Sequence, residues 1–410
     1  MPNVVFVAPF FMEATLHFVD AVASLPGVRC GLIGQESEER LPPGLRAKLA
    51  GHYAVADALD PKQIADATRA MARHLGSVDR LVGSLEQLQV PLAEVREALR
   101  IPGMDAQTAH NFRDKARMKT VLRAHDVPCA RHALCTVADE ARAFVRAAGF
   151  PVVVKPPAGA GARSTFRLDT TEHLERWLAI DPPSPHAPAL VEEFMTGDEH
   201  SFDSVVLDGF LAWHSISRYL PSPLDVLRNP WIQWAVLLPR DISGREFDGI
   251  RDAASTALSV LGLRSGLTHM EWFRRGDGRV AISEVAARPP GAQFTSLLSY
   301  AHDVDMYGVW ARLVVHEEFE PPMRCWAVGA AYLRGQGSGR VRAIHGLEVL
   351  QHELGELVVE ARLPQVGQAP GGSYEGEGHV IVRHHDTEVV EGALRRIVSV
   401  ARVELGGDPT

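Results

Sequence analysis

Blocks of apolar residues alternate with amphipathic stretches through the first hundred residues of the chain. A β-branched run over residues 4–7 predicts a buried strand, and residues 15–24 behind it have helical spacing. The alternation continues in further candidate strands and helices, at 29–33, 81–83, 61–75 and 92–99. Strands and helices that alternate with short connections predict an open parallel sheet with helices on both faces, an α/β fold.

The pattern changes to a mixed α+β type in the second part of the chain. Residues 108–125 predict one long polar helix, and residues 202–216 predict a hairpin that turns at Asp208-Gly209. Two further strands, at 267–274 and 280–286, are joined by a tight turn. The last part of the chain is rich in glycine and predicts short strands followed by one helix.

The chain has 410 residues, 42 Lys and Arg, 51 Asp and Glu and a formal net charge of -9. No run of basic residues offsets this charge, so no nucleic-acid partner is expected. Four cysteines without CxxC spacing predict reduced thiols, and no apolar stretch approaches the ~20 residues of a membrane span. The apolar N-terminus lacks a preceding basic residue and predicts a strand, not a signal peptide. We therefore expect a soluble cytoplasmic protein with no membrane partner.

A β-branched strand at 152–154 ends in Lys155, and a loop of small residues at 158–165 follows it. Because backbone N–H groups of such a loop can close over phosphate oxygens, Lys155, Ser164 and Thr165 are candidate nucleotide-binding residues. The chain has neither a GxxxxGK[ST] loop nor a dinucleotide-binding glycine turn, so a mononucleotide would need this different arrangement. The alternative is a solvated lysine at a strand end beside a flexible turn.

A second candidate segment carries several acidic residues. Residues 190–195 predict an extended stretch whose backbone can contact the edge of adenine, with Phe194 or Met195 as an apolar wall. Glu199 can accept hydrogen bonds from ribose hydroxyls. Without the other motifs, these acidic residues are more typical of a solvated strand end.

The strongest local signal is a pair of glutamates on the two strands at 267–274 and 280–286. If the tight turn pairs these strands, Glu271 and Glu284 project from neighbouring strands on one face. Two close carboxylates repel unless a cation lies between them, and Mg²⁺ prefers carboxylate, phosphate and water oxygens. Arg288 follows four residues after Glu284 and can neutralise a transferring phosphoryl group. A structural salt bridge between one glutamate and Arg288 is the alternative.

The order and spacing of these motifs resemble the ATP-grasp superfamily, in the branch of L-amino-acid ligases, biotin carboxylase and the formate-dependent glycinamide ribonucleotide transformylase. The resemblance covers nearly the whole chain, and residues 101–128 resemble the helix that opens the ATP-grasp region in this branch. The resemblance implies ATP-binding residues at Lys115, Lys155, Glu192, Glu193, Phe194, Met195 and Glu199, metal-binding acids at Glu271 and Glu284, and catalytic residues at Arg288 and Lys155.

The resemblance also implies a domain organisation and an activity. The implied domains are an N-terminal open parallel α/β domain (1–104), an ATP-grasp domain whose two β-rich parts grip ATP (105–324) and a β-rich C-terminal subdomain (325–410), with a mobile lid at about 122–195. The implied activity is an ATP-dependent carboxylate–amine ligase that forms an amide or peptide bond through an acyl phosphate. Its cofactors would be ATP and Mg²⁺, or Mn²⁺, its partners a small carboxylate and a small amine, and its assembly a homodimer.

One position departs from the family pattern. The family often has Asn two residues after the second metal acid, whereas this chain has Ala286 there. The second metal would then use other ligands or bind more weakly. His269 is a candidate neighbour of that metal, and a hydrogen-bonded structural histidine is the alternative.

The residues that select the substrate are less defined by the sequence. Glu86 follows the strand at 81–83 and could meet a substrate amine or cap a helix, and the aromatic-rich segment 218–234 could shape a pocket or form an exposed loop. The substrate candidates are Glu86, Arg218, His269 and Arg288. Two rival functions stay open: an ATP-grasp carboxylase or ribonucleotide-modifying enzyme, against which the absence of a basic cluster near Glu86 argues, and a catalytically silent ATP-binding regulatory protein, which Ala286 favours.

Overall fold

The computed structural model describes residues 1–159, 165–229 and 232–407. Within these residues the helices are α1 Glu13–Ala23, α2 Pro43–Arg46, α3 Pro61–Leu75, α4 Gln89–Leu99, α5 Ala106–Arg113, α6 Lys115–Ala124, α7 Ala138–Ala148, α8 Thr171–Ile180, α9 Pro223–Arg228, α10 Asp248–Leu261, α11 Phe294–His302, α12 Met306–His316, α13 Leu347–Leu354 and α14 Thr387–Val400. The strands are β1 Asn3–Ala8, β2 Arg29–Gly34, β3 Gly51–Ala54, β4 Arg80–Val82, β5 His132–Cys135, β6 Val152–Lys155, β7 Phe166–Leu168, β8 Ala189–Glu193, β9 Asp198–Leu207, β10 Phe210–Leu220, β11 Trp234–Leu238, β12 Gly266–Arg274, β13 Val280–Ala286, β14 Ala327–Leu333, β15 Gly335–Gln336, β16 Arg340–His345, β17 Val358–Arg362, β18 Gly378–His384 and β19 Arg402–Gly406.

The N-terminal sheet has four parallel strands in the order β3-β2-β1-β4. Every residue of β1 is buried because helices cover both faces of a parallel sheet, and this explains its uninterrupted apolar run. Trp310 of α12 packs against Phe6 and Phe18, with ring centroids 6.1 and 4.9 Å apart, and so attaches this domain to the rest of the molecule. The predicted open parallel α/β sheet is confirmed.

A second sheet has four antiparallel strands in the order β5-β8-β6-β7. Helices α7 and α8 pack on it around an apolar core that includes Val145, Val152, Trp177 and Val191. This unit, called the lid sheet below, lies within the range predicted for the lid. That it moves stays a prediction.

The third sheet has eight antiparallel strands in the order β13-β12-β9-β10-β11-β14-β18-β17. The hairpin between β9 and β10 turns at Asp208 and Gly209, whose φ angles are 52° and 85°. Two successive positive φ angles match the twist of paired strands, so Asp-Gly is favoured at this turn, as predicted. Strands β14, β18 and β17 follow residue 325 in sequence yet continue this sheet, so the boundary predicted there does not separate two sheets.

The single helix predicted over residues 108–125 is wrong, because the chain breaks it at Asp114. This residue has an extended backbone (φ -93°, ψ 107°), and its side chain accepts hydrogen bonds from the N–H groups of Ala116 and Arg117. Asp is favoured as an N-cap because its carboxylate satisfies these otherwise unpaired donors. Lys115 therefore occupies the first position of α6 instead of the middle of a long helix.

The remaining strands form a small three-stranded sheet in the order β15-β19-β16. Helix α14, predicted over 389–400, packs through Leu394 and Ile397 on β14 and β18. Across the described ranges, every helix is too short or too polar to pass through a lipid bilayer. The overall arrangement is the mixed α/β and α+β fold class that the sequence predicts.

Candidate active site

The two predicted metal acids lie directly opposite each other on paired strands. Strands β12 and β13 form an antiparallel hairpin in which Glu271 is the register partner of Glu284. Paired residues share one face of a sheet, and their neighbours Met270 and Val285 point to the opposite face, where both are fully buried in an apolar core. The core therefore fixes the direction in which both carboxylates project.

The two carboxylates have different electrostatic surroundings. Lys115 Nζ lies 2.6 Å from Glu284 Oε1, and the positive charges of Lys115, Lys155 and Arg288 outweigh the effect of burial and lower the pKa of Glu284. Glu271 accepts no hydrogen bond within the described part of the chain, and burial together with the charge of Glu284 raises its pKa. One glutamate is thus held ionised, and the other lacks a cationic partner of its own.

This donor set fits a divalent cation that also binds a nucleotide. No group of three or more Asp, Glu, His or Cys side chains is arranged as a metal site among the residues described. Mg²⁺ commonly takes one or two carboxylates and completes its shell with substrate phosphates and water. Because a cation between Glu271 and Glu284 would also relieve their repulsion, the pair is suited to Mg²⁺, or Mn²⁺, bound together with phosphate oxygens.

Lys115 and Arg113 hold the start of the loop that the sequence assigns to phosphate binding. Lys115 donates from its backbone N–H to the Pro157 carbonyl (2.9 Å) and from Nζ to the Gly159 carbonyl (3.0 Å). Arg113 also donates to the Gly159 carbonyl, at 3.1 Å. Thr165 lies at the far end of the loop, immediately before β7, and Ser164 lies outside the described residues.

Lys155 lies at the end of β6 with its side chain paired to Glu192 of β8. Glu192 is also 3.2 Å from Nζ of Lys119, a lysine that the sequence argument missed. Burial opposes ionisation of Glu192, but the two lysines outweigh it and lower its pKa to about 2. The Glu192 side chain therefore binds lysines, and its backbone lies in the middle of the lid sheet, paired with His132 of β5 and Val153 of β6.

The rest of the predicted adenine-binding segment makes protein contacts. The N–H groups of Glu193 and Phe194 donate to the carbonyls of Arg131 and Pro151, at 3.0 and 3.1 Å. The Glu193 carboxylate accepts hydrogen bonds from Arg131. Glu193 and Met195 line a cavity of about 640 Å³ whose lining contains neither the lysines nor the glutamate pair. The two N–H groups are therefore not available to adenine.

Phe194 packs against an arginine, whereas Glu199 shares a sheet face with one of the two predicted metal acids. The guanidinium of Arg167 lies over the Phe194 ring, 4.1 Å from its centroid. Glu199 is on the same face of the large sheet as Glu271, because its strand neighbour Ser201 pairs with Glu271. Burial, followed by the charge of Glu271, raises the pKa of Glu199 well above its ordinary value.

Glu86 and Arg288 come together although 202 residues separate them. Arg288 Nε donates to Glu86 Oε2 at 2.6 Å, and Arg113 lies 3.9 Å from Glu86 Oε1. Glu86 is 7% exposed and caps no helix, so the capping alternative is not supported. Two arginines therefore lie beside Glu86, where no cluster of basic residues was expected.

His269 and Arg218 lie on opposite faces of the large sheet. His269 Nδ1 is 2.7 Å from Asp203 Oδ1, and His269 is the register partner of Ala286. Burial lowers the pKa of His269, but Asp203 outweighs it and raises the pKa. Tyr219 Oη is 3.4 Å from His269 Nε2, so the next residue along the strand, Arg218, points to the other face, away from the glutamate pair. This geometry does not favour the predicted substrate role of Arg218, which stays a prediction.

Comparison with solved structures identifies the fold. The whole chain superposes on an L-amino acid ligase from Bacillus licheniformis with a TM-score of 0.78 and 18% identity, covering 99% of each chain. It superposes on N5-carboxyaminoimidazole ribonucleotide synthetase from Thermotoga maritima with a TM-score of 0.73 and 17% identity, covering 99% of this chain and 100% of the other. The fold is thus that of the ATP-grasp class.

Sequence relatives narrow the resemblance to the carboxylate–amine ligase branch. The chain is 22% identical over 238 residues to the L-arginine-specific L-amino acid ligase and 24% identical over 251 residues to the alanine–anticapsin ligase, both of Bacillus subtilis. These matches cover 57% and 56% of this chain and 57% and 52% of the relatives, so the chain spans about half the length of the relatives it matches. No family model matches the chain. The predicted resemblance to ATP-grasp ligases is confirmed.

Proposed function

We propose that the protein is an ATP-dependent carboxylate–amine ligase that activates a small carboxylic acid as an acyl phosphate and joins it to an amine. The observation that supports this most is the convergence of Glu271, Glu284, Lys115, Lys155 and Arg288 at one site. A protein that only binds a nucleotide has no need for two metal acids and an arginine beyond them. The two named ligases among the relatives support an amino acid as one substrate.

In the proposed reaction, the chain supplies positioning and charge and no covalent nucleophile. Lys115 and Lys155 would bind the phosphates of ATP, and Glu271 and Glu284 would hold Mg²⁺. A cation held there would supply positive charge that stabilises the γ-phosphoryl group. A substrate carboxylate oxygen then attacks the γ-phosphorus in line and displaces ADP, which gives the acyl phosphate.

Arg288 then acts on the second half of the reaction. Its guanidinium is directed by Glu86 and lies four residues beyond Glu284, where it can stabilise the charge of the acyl phosphate. The amine nitrogen attacks the acyl carbon, inorganic phosphate leaves, and the nitrogen loses a proton. Closure of the lid sheet over the site would keep water from hydrolysing the intermediate. A cytoplasmic location and a homodimer remain predictions.

Release of phosphate from ATP and Mg²⁺ over a panel of amino acids and small acids, singly and in pairs, tests this function. Release that rises only with particular pairs, together with a product whose mass equals the two substrates less water, is the expected result. Phosphate release that requires bicarbonate with an amine would replace the ligase by a carboxylase. Bicarbonate is included in the panel because two arginines lie beside Glu86 and because a ribonucleotide synthetase is among the structural neighbours.

The regulatory alternative has a separate outcome. A protein that binds ATP, measured by calorimetry, yet releases no phosphate above the Glu284→Gln background with any pair would be a nucleotide-binding protein without ligase activity. Binding of neither ATP nor ADP would remove both proposals at once.

A further inference from the structure

Lys119 is a fully buried lysine that the reaction described above does not use. It lies on α6 one turn after Lys115, and its side chain is 0% exposed. Its Nζ donates to the Ser283 carbonyl at 2.7 Å and lies 3.2 Å from Glu192 Oε2. A buried ammonium destabilises a protein unless it is paired and hydrogen-bonded, so both contacts are needed to keep Lys119 where it is.

The contacts of Lys119 connect two sheets that share no strand. Ser283 is on β13 of the large sheet, directly before Glu284, whereas Glu192 is on β8 of the lid sheet. Glu192 in turn pairs with Lys155 on β6, the strand next to β8. One carboxylate therefore lies between two lysines, one on a helix beside the large sheet and one in the lid sheet.

This arrangement determines where Lys155 points. Glu192 has two carboxylate oxygens, and Lys119 and Lys155 each take a different one. Without Lys119, Glu192 would lose the contact that fixes its rotation and its position relative to β13. Lys155 would then keep a partner but lose a defined position relative to the two metal acids.

We propose that Lys119 is a positioning residue that acts through Glu192 to hold Lys155 in place relative to Glu284. In this way the phosphate-binding lysine of the lid sheet is aligned with the metal-binding strand of the large sheet. The proposal rests on the proposed function for its consequence in nucleotide binding, but its structural content concerns the Lys155 side chain itself. Each part has its own measurement.

The first measurement requires no nucleotide. Lysines of the wild type, Lys119→Met and Arg117→Met are methylated reductively, and the modification of Lys155 is followed by peptide mass spectrometry. Arg117 is the matched control because it is a cation on the same helix but is exposed. We expect Lys155 to react several-fold faster in Lys119→Met than in the wild type and unchanged in Arg117→Met. An unchanged Lys155 rate in Lys119→Met would overturn the proposal.

The second measurement separates positioning from loss of structure. Affinities for adenosine and ADP are measured for the same proteins, because only ADP has phosphates for Lys155 to bind. We expect Lys119→Met to weaken ADP binding about tenfold, the worth of one charge-assisted hydrogen bond, and to leave adenosine binding unchanged. Equal weakening of both ligands would indicate a merely structural role and refute the proposal.

Two further outcomes have defined meanings. If the wild type binds neither ligand, the proposed function fails, and the methylation rates alone decide whether Lys119 positions Lys155. If Lys119→Met does not fold by circular dichroism, Lys119→Gln replaces it in both measurements. Glutamine keeps a hydrogen-bond donor for the Ser283 carbonyl but has no charge to pair with Glu192, so the same faster methylation of Lys155 is expected and an unchanged rate overturns the proposal.

Discussion

Replacing Glu192 by Gln should lower stability at neutral pH by an amount that disappears in acid. The two neighbouring lysines lower the pKa of Glu192 from 4.5 to about 2, although burial acts in the opposite direction. That difference corresponds to about 3 kcal/mol, as an order of magnitude, because one pKa unit is worth about 1.4 kcal/mol. Gln has nearly the same volume but no charge, so Glu192→Gln isolates this contribution.

The sign of the pH dependence follows from the direction of the shift. A carboxylate whose pKa is lower in the folded state stabilises the protein above its unfolded pKa and loses that effect as the pH falls through the folded pKa. The stabilisation from the Glu192 carboxylate is therefore lost as the pH falls from 4.5 to about 2. At a pH of about 3.5, roughly 1 kcal/mol of the difference between wild type and variant should already be lost.

Urea unfolding followed by near-ultraviolet circular dichroism, at neutral pH and at a pH of about 3.5, measures this difference. The matched control is Glu193→Gln, on the same strand, whose ion pair with Arg131 is partly exposed and should contribute less than about 1 kcal/mol. A Glu192→Gln variant as stable as wild type at neutral pH would refute the reasoning. A difference that stays the same in acid would show that it does not arise from the charge of Glu192.

Two further predictions concern the proposed chemistry, and a third concerns the start of helix α6. Glu271→Gln and Glu284→Gln should each lower the rate of phosphate release at least about 100-fold because a metal ligand is lost. The control Asp277→Asn, in the turn of the same hairpin, should leave this rate unchanged. Near-wild-type turnover of either glutamine variant would contradict the metal assignment. Arg288→Lys should lower kcat about 100-fold with ADP affinity unchanged, since lysine cannot keep the same directed geometry; equal loss of ADP affinity in calorimetry would argue for a binding role instead. Asp114→Ala should lower the free energy of urea unfolding by about 1 kcal/mol through loss of the N-cap, whereas Asp114→Asn should restore most of it; an Asn variant as unstable as the Ala variant would count against capping.

The closeness of Glu271 and Glu284 could be predicted from the sequence because one tight turn joins their strands. Their pairing could not, because regular pairing from this turn would place Glu271 opposite Ser283 and Glu284 opposite Met270, on opposite faces of the sheet. An irregularity between Glu271 and Trp272 shifts the register by one residue and brings the two glutamates opposite each other. Lys155 and Arg288 could also be predicted as site residues, because each lies at or within a few residues of the end of a strand that the sequence pattern predicts.

Other features depended on contacts between distant segments and could not be predicted in the same way. A lysine in the middle of a polar helix normally faces solvent, so the burial of Lys119 was not expected. The available signal was its spacing of four residues from Lys115, which places both lysines on one helix face. The pairing of Glu86 with Arg288 joins residues 202 positions apart in the sequence and has no local signature. Arg218 faces away from the glutamate pair because side chains alternate along β10 and its neighbour Tyr219 faces His269.

Strand β11 has a further consequence for how the chain becomes a folded protein. Its five residues, Trp234–Leu238, are all buried, and its outer edge hydrogen-bonds to β14, which lies about ninety residues later in the sequence. Until β14 has been synthesised, the growing chain exposes an apolar strand edge, and such edges pair readily with other chains. A ribosome that stalled between Arg288 and β14 would therefore release a chain prone to aggregation, although every residue of the proposed active site had already been made.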